Sequence, residues 1–153
     1  MDEHQYKTTY HSINPHRCVF EKALNSRICN CSMAQRFNLA DREGVACTSV
    51  IKLQRCDRLL TEFRKKAKFA LQRMEASQIL AHTEEIKIQN GGMLGLQEHV
   101  EKHPLQTVQD IASLIDRAER QFNGMDRFPY SQLMQGITAY QIRNRRHKSR
   151  IKK

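Results

Sequence analysis

Apolar residues recur at helical spacing in three stretches of the chain. After Thr48 and Ser49, either of which can cap a helix by accepting a first-turn amide, Leu53, Cys56, Leu60, Phe63, Ala67, Leu71 and Met74 follow at gaps of three and four. This places them on one narrow face of a long amphipathic helix reaching about Leu80. A second stripe, Leu105, Val108, Ile111, Ala112, Ile115, Ala118 and Phe122, runs from just after Pro104 through the capping sequence Thr107-Val108-Gln109-Asp110, and Gly124 stops it. A third helix is expected to start between Pro129 and Ser131 and to bury Leu133, Met134, Ile137 and Tyr140. Two short helices are expected before these, over 19–26 and over 32–40, the latter broken at Gly44.

Elsewhere the pattern weakens. Residues 1–16 are polar without a sustained period and read as an irregular lead-in. Glu84-Glu85-Ile86-Lys87-Ile88 alternates for a few residues, enough for one isolated short strand. Gln89-Asn90-Gly91-Gly92-Met93-Leu94-Gly95 reads as a glycine-rich connection. It lacks the Gly-Lys-Ser/Thr ending of a phosphate loop and the third spaced glycine of a dinucleotide fingerprint. Three amphipathic helices with little strand evidence predict an all-α protein. The expected organisation is a cysteine-rich, loop-containing metal module over 1–48, a small helical bundle over 49–142 and a basic tail over 143–153.

Length and composition narrow the class. A chain of 153 residues has room for one ordinary domain and can bury a core without disulfides. Its 39% hydrophobic residues against 27% charged ones point to a large surface share. No apolar run approaches the roughly 20 residues of a membrane helix. Met1-Asp2-Glu3-His4-Gln5-Tyr6 has neither the basic nor the apolar region of a secretory signal, so a cytoplasmic location is expected. The formal charge is +10, and residues 143–153 account for seven basic side chains with no acid. Such a like-charge block suits neutralisation by an acidic protein or a nucleic acid. It has no interleaved aromatics for base stacking, and the turn between the last two helices is too long for a helix-turn-helix reader. On the long helix Arg55, Arg58, Lys65, Lys66 and Arg73 form a basic face, partly offset by Glu62, and Phe69 among them is expected to be covered by packing.

The chemistry lies with the cysteines. Cys18, Cys29, Cys31, Cys47 and Cys56 all fall in the first two fifths of the chain. An odd number of clustered thiols in a reducing compartment points to metal rather than to a disulfide framework. Cys29-Asn30-Cys31 can turn both sulfurs onto one centre from a loop or a strand. The gaps lack the paired C-x2-C of structural zinc modules, whereas an iron–sulfur cluster, such as a 4Fe-4S cubane, accepts thiolates from several loops. The preferred ligand set is Cys18, Cys29, Cys31 and Cys47, with Cys56 read as a small buried hydrophobe and reserve ligand. His16, two residues before Cys18, is a weaker candidate for one ligand position, and His4 and His11 read as loop histidines.

Three functions compete on this basis. The first is a small metal-binding protein whose iron–sulfur cluster serves electron transfer, redox sensing or an accessory or regulatory role. The second is a zinc-stabilised nucleic-acid-binding module. The third, an enzyme with Cys29 or Cys31 as nucleophile beside a histidine, lacks any local signature.

Overall fold

A computed structural model describes residues 2–71 and 82–142. It has six α-helices and one β-hairpin: α1 (Glu3–Ile13), α2 (Glu21–Asn25), β1 (Ala34–Leu39), β2 (Arg42–Cys47), α3 (Val50–Ala70), α4 (His82–Glu101), α5 (Ile111–Phe122) and α6 (Tyr130–Ala139). The chain is therefore mostly helical, and the hairpin corrects the all-α expectation.

α3, α5 and α6 form within the stretches whose stripes predict them, except that Leu105 and Val108 precede α5 and Leu105 is exposed. Ser49 caps α3 by accepting the Lys52 amide at 3.3 Å, and Leu59, Leu60, Phe63 and Ala67 are buried along it. α5 begins after Asp110, buries Ile111, Ala112, Leu114, Ile115 and Ala118, and ends at Asn123, whose φ of 60° is the left-handed C-cap conformation. α6 buries Leu133, Met134 and Ile137, while Tyr140 caps its end half-buried. Met74, Leu80 and Arg73 lie outside the described residues, as does the basic tail over 143–153. No helix among the described residues is long and apolar enough to cross a membrane.

Four expectations change. The lead-in contains α1, started by Asp2, whose side chain accepts the Gln5 amide at 2.7 Å. The helix expected over 32–40 is instead β1 and the turn into β2, an antiparallel pair in register from Ala34 opposite Cys47 to Leu39 opposite Arg42. The two-residue turn between them, Ala40-Asp41, has positive φ at both residues, 49° and 68°, as a tight hairpin of right-handed strands requires. Residues 84–88 are helical rather than a strand, and the glycine-rich stretch lies inside α4. That helix is the centre of the fold: it contacts α2, α3, α5 and α6 and is buried almost all round from Ile88 to Gln97. A helix enclosed on every side carries no apolar stripe, because it has no solvent face to contrast with.

Its glycines set how closely the neighbours approach. A Cβ at Gly91 would lie 2.8 Å from the Ile137 Cα and 3.1 Å from the Gly136 carbonyl oxygen, so α6 backbone occupies the space a side chain would need. Polar contacts fix the rotation of the same helix. Gln89 Oε1 accepts the Ala23 amide at 3.0 Å, its Nε2 donates to the Val19 carbonyl and to Glu85, and Glu85 in turn receives a bidentate Arg64 from α3. These bonds tie α4 to α2, to Val19 just before it and to α3, which is how a buried amide and carboxylate avoid the cost of desolvation.

Replacing Gly91 by Ala forces backbone against backbone and is expected to lower stability by about 1–3 kcal/mol. Gly95→Ala, whose Cβ would meet the flexible tip of Leu133 at 3.3 Å and its Cα at an ordinary 3.7 Å, is expected to cost clearly less. Urea denaturation midpoints of the two variants check this ordering.

Candidate metal centre

Hydrogen bonds to the backbone carry the cysteines to their places. Residues 16–18 run beside β2, with the Cys47 amide donating to the His16 carbonyl at 2.8 Å and the Cys18 amide donating to the Val45 carbonyl at 2.9 Å. Cys18 and Cys47 thereby leave from adjacent chain segments. The 28–31 loop is held from the other side, because Val108 donates to the Ile28 carbonyl and accepts from the Asn30 amide, both at 2.8 Å. Asn30 Oδ1 accepts the Cys31 amide, and the chain then turns over Ser32 and Met33, where the Cys31 carbonyl accepts the Ala34 amide. Cys56 stands in the second turn of α3, on the same face as Lys52 and Leu53.

These constraints bring Cys18, Cys31, Cys47 and Cys56 to the wall of a single cavity of about 20 Å³, roughly the space of one water molecule. The rest of the wall is Phe20, Met33, Ala34, Ala46, Lys52, Leu53, Ile111 and Ala112, nearly all of it apolar. All five cysteines are free thiols. The sequence-based ligand set is thus revised at one position. Cys29 is 2% exposed, packs in the hydrophobic core and is absent from this wall, although Cys31 two residues on is part of it. Cys29 nonetheless stays within electrostatic reach of Cys18 and Cys31. Cys56, read as a packing residue, is on the wall instead. The imidazoles of His4, His11 and His16 are solvent-exposed, and no histidine lines the cavity. A nucleophilic cysteine with an adjacent histidine base therefore has no geometric support there.

The local electrostatics are those of thiols held neutral but prepared for charge. Burial pushes Cys18 up to about 12, opposed by the Phe20 backbone amide at its sulfur, while Cys31, Cys47 and the Glu21 carboxylate push it further up. Burial also raises Cys31, against which two amides, those of Met33 and Ala112, act by donating to its sulfur; Asp110 and Cys47 add to the rise. Cys56 is pushed up to about 12 by burial and by the other three thiols of the cavity, and Arg55 opposes the rise. Those mutual effects place the four sulfurs within electrostatic reach of one another. Cys47 donates its thiol proton to the Ser49 carbonyl at 3.2 Å. Amides aimed at sulfur stabilise a thiolate once something compensates its charge, and metal is the compensator that thiolates bind.

Among the described residues, no three His, Cys, Asp or Glu side chains form a ready-made ligand set for a single metal ion. A tetrahedral zinc requires all four sulfurs about 2.3 Å from one point, so the sulfurs would have to draw together, whereas a polynuclear cluster is bound at its corners and accepts a wider spread. The other charged features are paired. Arg55 bridges Asp116 and Glu119, Arg58 meets Asp126, and Lys66 meets Glu62, which leaves little of the α3 face as a free basic surface. Phe69 is 88% exposed, so the packing expected to cover it is not found among the described residues.

The raised thiols fix a pH dependence for the metal-free protein. Cys18, Cys29 and Cys56 are each raised to about 12, against about 8.5 in an unfolded chain. Below the unfolded value both states keep their protons and the stabilisation is complete; as pH rises past it, the unfolded chain ionises first and the stabilisation is lost. The urea midpoint of metal-free protein is expected to be flat between about pH 6 and 8 and to fall above about pH 9. A midpoint that rises there would contradict the burial of these thiols.

No family model matches the chain, and comparison with curated proteins and with solved structures returns no match.

Proposed function

We propose that this chain is a small metal-binding protein carrying an iron–sulfur cluster on Cys18, Cys31, Cys47 and Cys56, acting in electron transfer, redox sensing or as an accessory or regulatory factor. The observation that carries the reading is the convergence of four thiols, from four separated chain segments, on one apolar cavity. Four half-buried cysteines without disulfides gain nothing from proximity as packing residues, since any small hydrophobe would pack as well. Amides already directed at Cys18 and Cys31 support a thiolate state that burial alone opposes. Hydrogen bonds to sulfur and an apolar enclosure are also the means by which a protein tunes a cluster's potential. A cubane needs more room than the present cavity, and the long, half-buried side chains of Met33 and Lys52 can cede it.

A second reading uses the same four sulfurs for a structural zinc in a nucleic-acid-binding module. The small volume of the cavity favours it, because one ion fits where a cluster must displace its neighbours. In either case the basic residues over 143–153 supply the contact with an acidic protein or nucleic acid.

Anaerobic purification followed by iron, acid-labile sulfide and zinc analysis separates the two. Brown protein with iron and sulfide in similar amounts is expected. Cys-to-Ser changes at 18, 31, 47 and 56 should each remove most of the metal, and Cys29→Ser should retain it. Colourless protein with one zinc per chain would establish the second reading, and full metal in all four of those variants would eliminate this ligand set.

A further inference from the structure

A groove of about 390 Å³ lies between the 27–30 loop, β1 and residues 107–109, and it shares no lining residue with the thiol cavity. Ile28 and Val108, both buried, form its apolar part. The two segments are fixed to each other by main-chain bonds, from the Val108 amide to the Ile28 carbonyl and from the Asn30 amide to the Val108 carbonyl. Two guanidiniums, those of Arg27 and Arg36, line the groove with the polar side chains of Asn30, Thr107 and Gln109, and no acidic residue does. A second charged cleft, of about 330 Å³, differs on this point. It is lined by Arg17 and Arg64, but Glu21 and Glu85 stand on the same wall and hold both as ion pairs.

Arg36 is set in place by neutral groups. Its Nη2 donates to the Leu24 carbonyl at 3.1 Å and its Nη1 to Asn25 Oδ1 at 3.5 Å, so α2 holds the guanidinium without cancelling its charge, and further N–H donors remain for a ligand. Arg27 follows α2 with a φ of 65°, the left-handed position where glycine or asparagine is usual. Glycine would meet the backbone requirement there with less strain, so what Arg27 contributes is its side chain. Its Nη2 donates to Glu43 Oε1 at 2.7 Å, an exposed pair that water screens and that leaves its other donors unused. The geometry points to a binding site for a small phosphate monoester, its phosphate on Arg36 and Arg27 and its polar body over Ile28 and Val108, within reach of Asn30, Thr107 and Gln109. Guanidinium forks match phosphate oxygens two at a time. Two guanidiniums balance the double charge of a monoester, whereas a phosphodiester brings one. The volume exceeds that of a bare ion and falls within the range of small-ligand sites. With no aromatic ring on the wall to stack a base, the body that fits is sugar-like. This site is independent of the metal reading.

Isothermal titration calorimetry on the full-length protein tests it with ribose 5-phosphate, ribose and a single-stranded oligonucleotide lacking terminal phosphates. Ribose 5-phosphate should bind once per chain and ribose should not. Arg36→Gln should weaken that binding about tenfold or more. Glu43→Gln, which frees Arg27, should tighten it about two- to fivefold. If Arg36→Gln changes the far-ultraviolet circular dichroism, Arg27→Gln, whose side chain bonds Glu43 rather than α2, replaces it and should also weaken binding. Absence of ribose 5-phosphate binding up to about 10 mM overturns the inference. So does parent-like affinity in the folded arginine variant, which would place the phosphate on the basic residues 143–153 instead. Oligonucleotide binding that depends on Arg36, without any response to ribose 5-phosphate, overturns it as well, because the groove would then serve a polynucleotide chain.

Discussion

A single buried carboxylate organises the part of the chain that carries most of the thiols. Glu21 is 8% exposed, and both of its oxygens are used. Oε2 accepts the Val45 amide at 2.8 Å and the Tyr10 hydroxyl, and Oε1 accepts Arg17 at 2.9 Å. The Val45 carbonyl on the same residue takes the Cys18 amide and the Asn14 side chain. α1, α2 and β2 are therefore fastened to one another through a few atoms, and Cys18 and Cys47 are placed as a consequence. Leaving such a group without one of its partners typically costs about 3–5 kcal/mol, which makes this arrangement hard to relax. Tyr10, raised above its ordinary range by burial and by Glu21, remains a hydroxyl donor throughout the physiological range.

Because the sulfurs converge through tertiary contacts, the site has no local signature. The gaps between the four wall cysteines are 12, 15 and 8 residues, set by a turn, a hairpin and the first turns of a helix rather than by a metal-binding knuckle. One sulfur depends on strand-like pairing with β2, another on a loop gripped by Val108, a third on the strand end, and the last on the rotation of α3. That rotation is fixed in turn by Leu59, Leu60 and Phe63 in the common core.

Much of the fold was legible because its signals are one-dimensional. α3, α5 and α6 follow from stripes and caps that depend only on neighbours in the chain. The hairpin did not, since tight turns usually reveal themselves by Asn or Gly, and here Ala40 and Asp41 adopt positive φ without either. α4 was missed for the opposite reason: its glycines suggested a break, but they admit the α6 backbone and the Phe63 ring, which come within 3 Å of where a Cβ would be. At the site, clustering of cysteines in the sequence drew attention to five residues, four of which share one cavity wall. Which of them share one cavity depends on tertiary contacts such as the grip of Val108 on the 28–31 loop, and no residue pattern encodes those. Cys56 carries a usable signal, its place three residues after Leu53 on the inward face of α3, which is why the sequence offers it as a reserve ligand as well as a packing residue.

Separate chain segments at the cavity also bear on what metal would do for the fold. A two-stranded hairpin is marginal by itself in water, and the inner face of β1 and β2 contributes little beyond Val45 to the core. On the proposed reading Cys31 enters just before β1, Cys47 ends β2, Cys18 lies on the strand-like segment beside β2, and Cys56 belongs to α3. Ligation would join the hairpin's open end to the helix bundle. Ligand binding of that kind adds directly to folding free energy, and it would act where α3 and α5 already share the Lys52, Asp116, Arg55 and Glu119 network. Loss of the centre would then loosen the hairpin and the first turns of two helices while leaving the α4–α6 seam, which depends on none of these residues, intact.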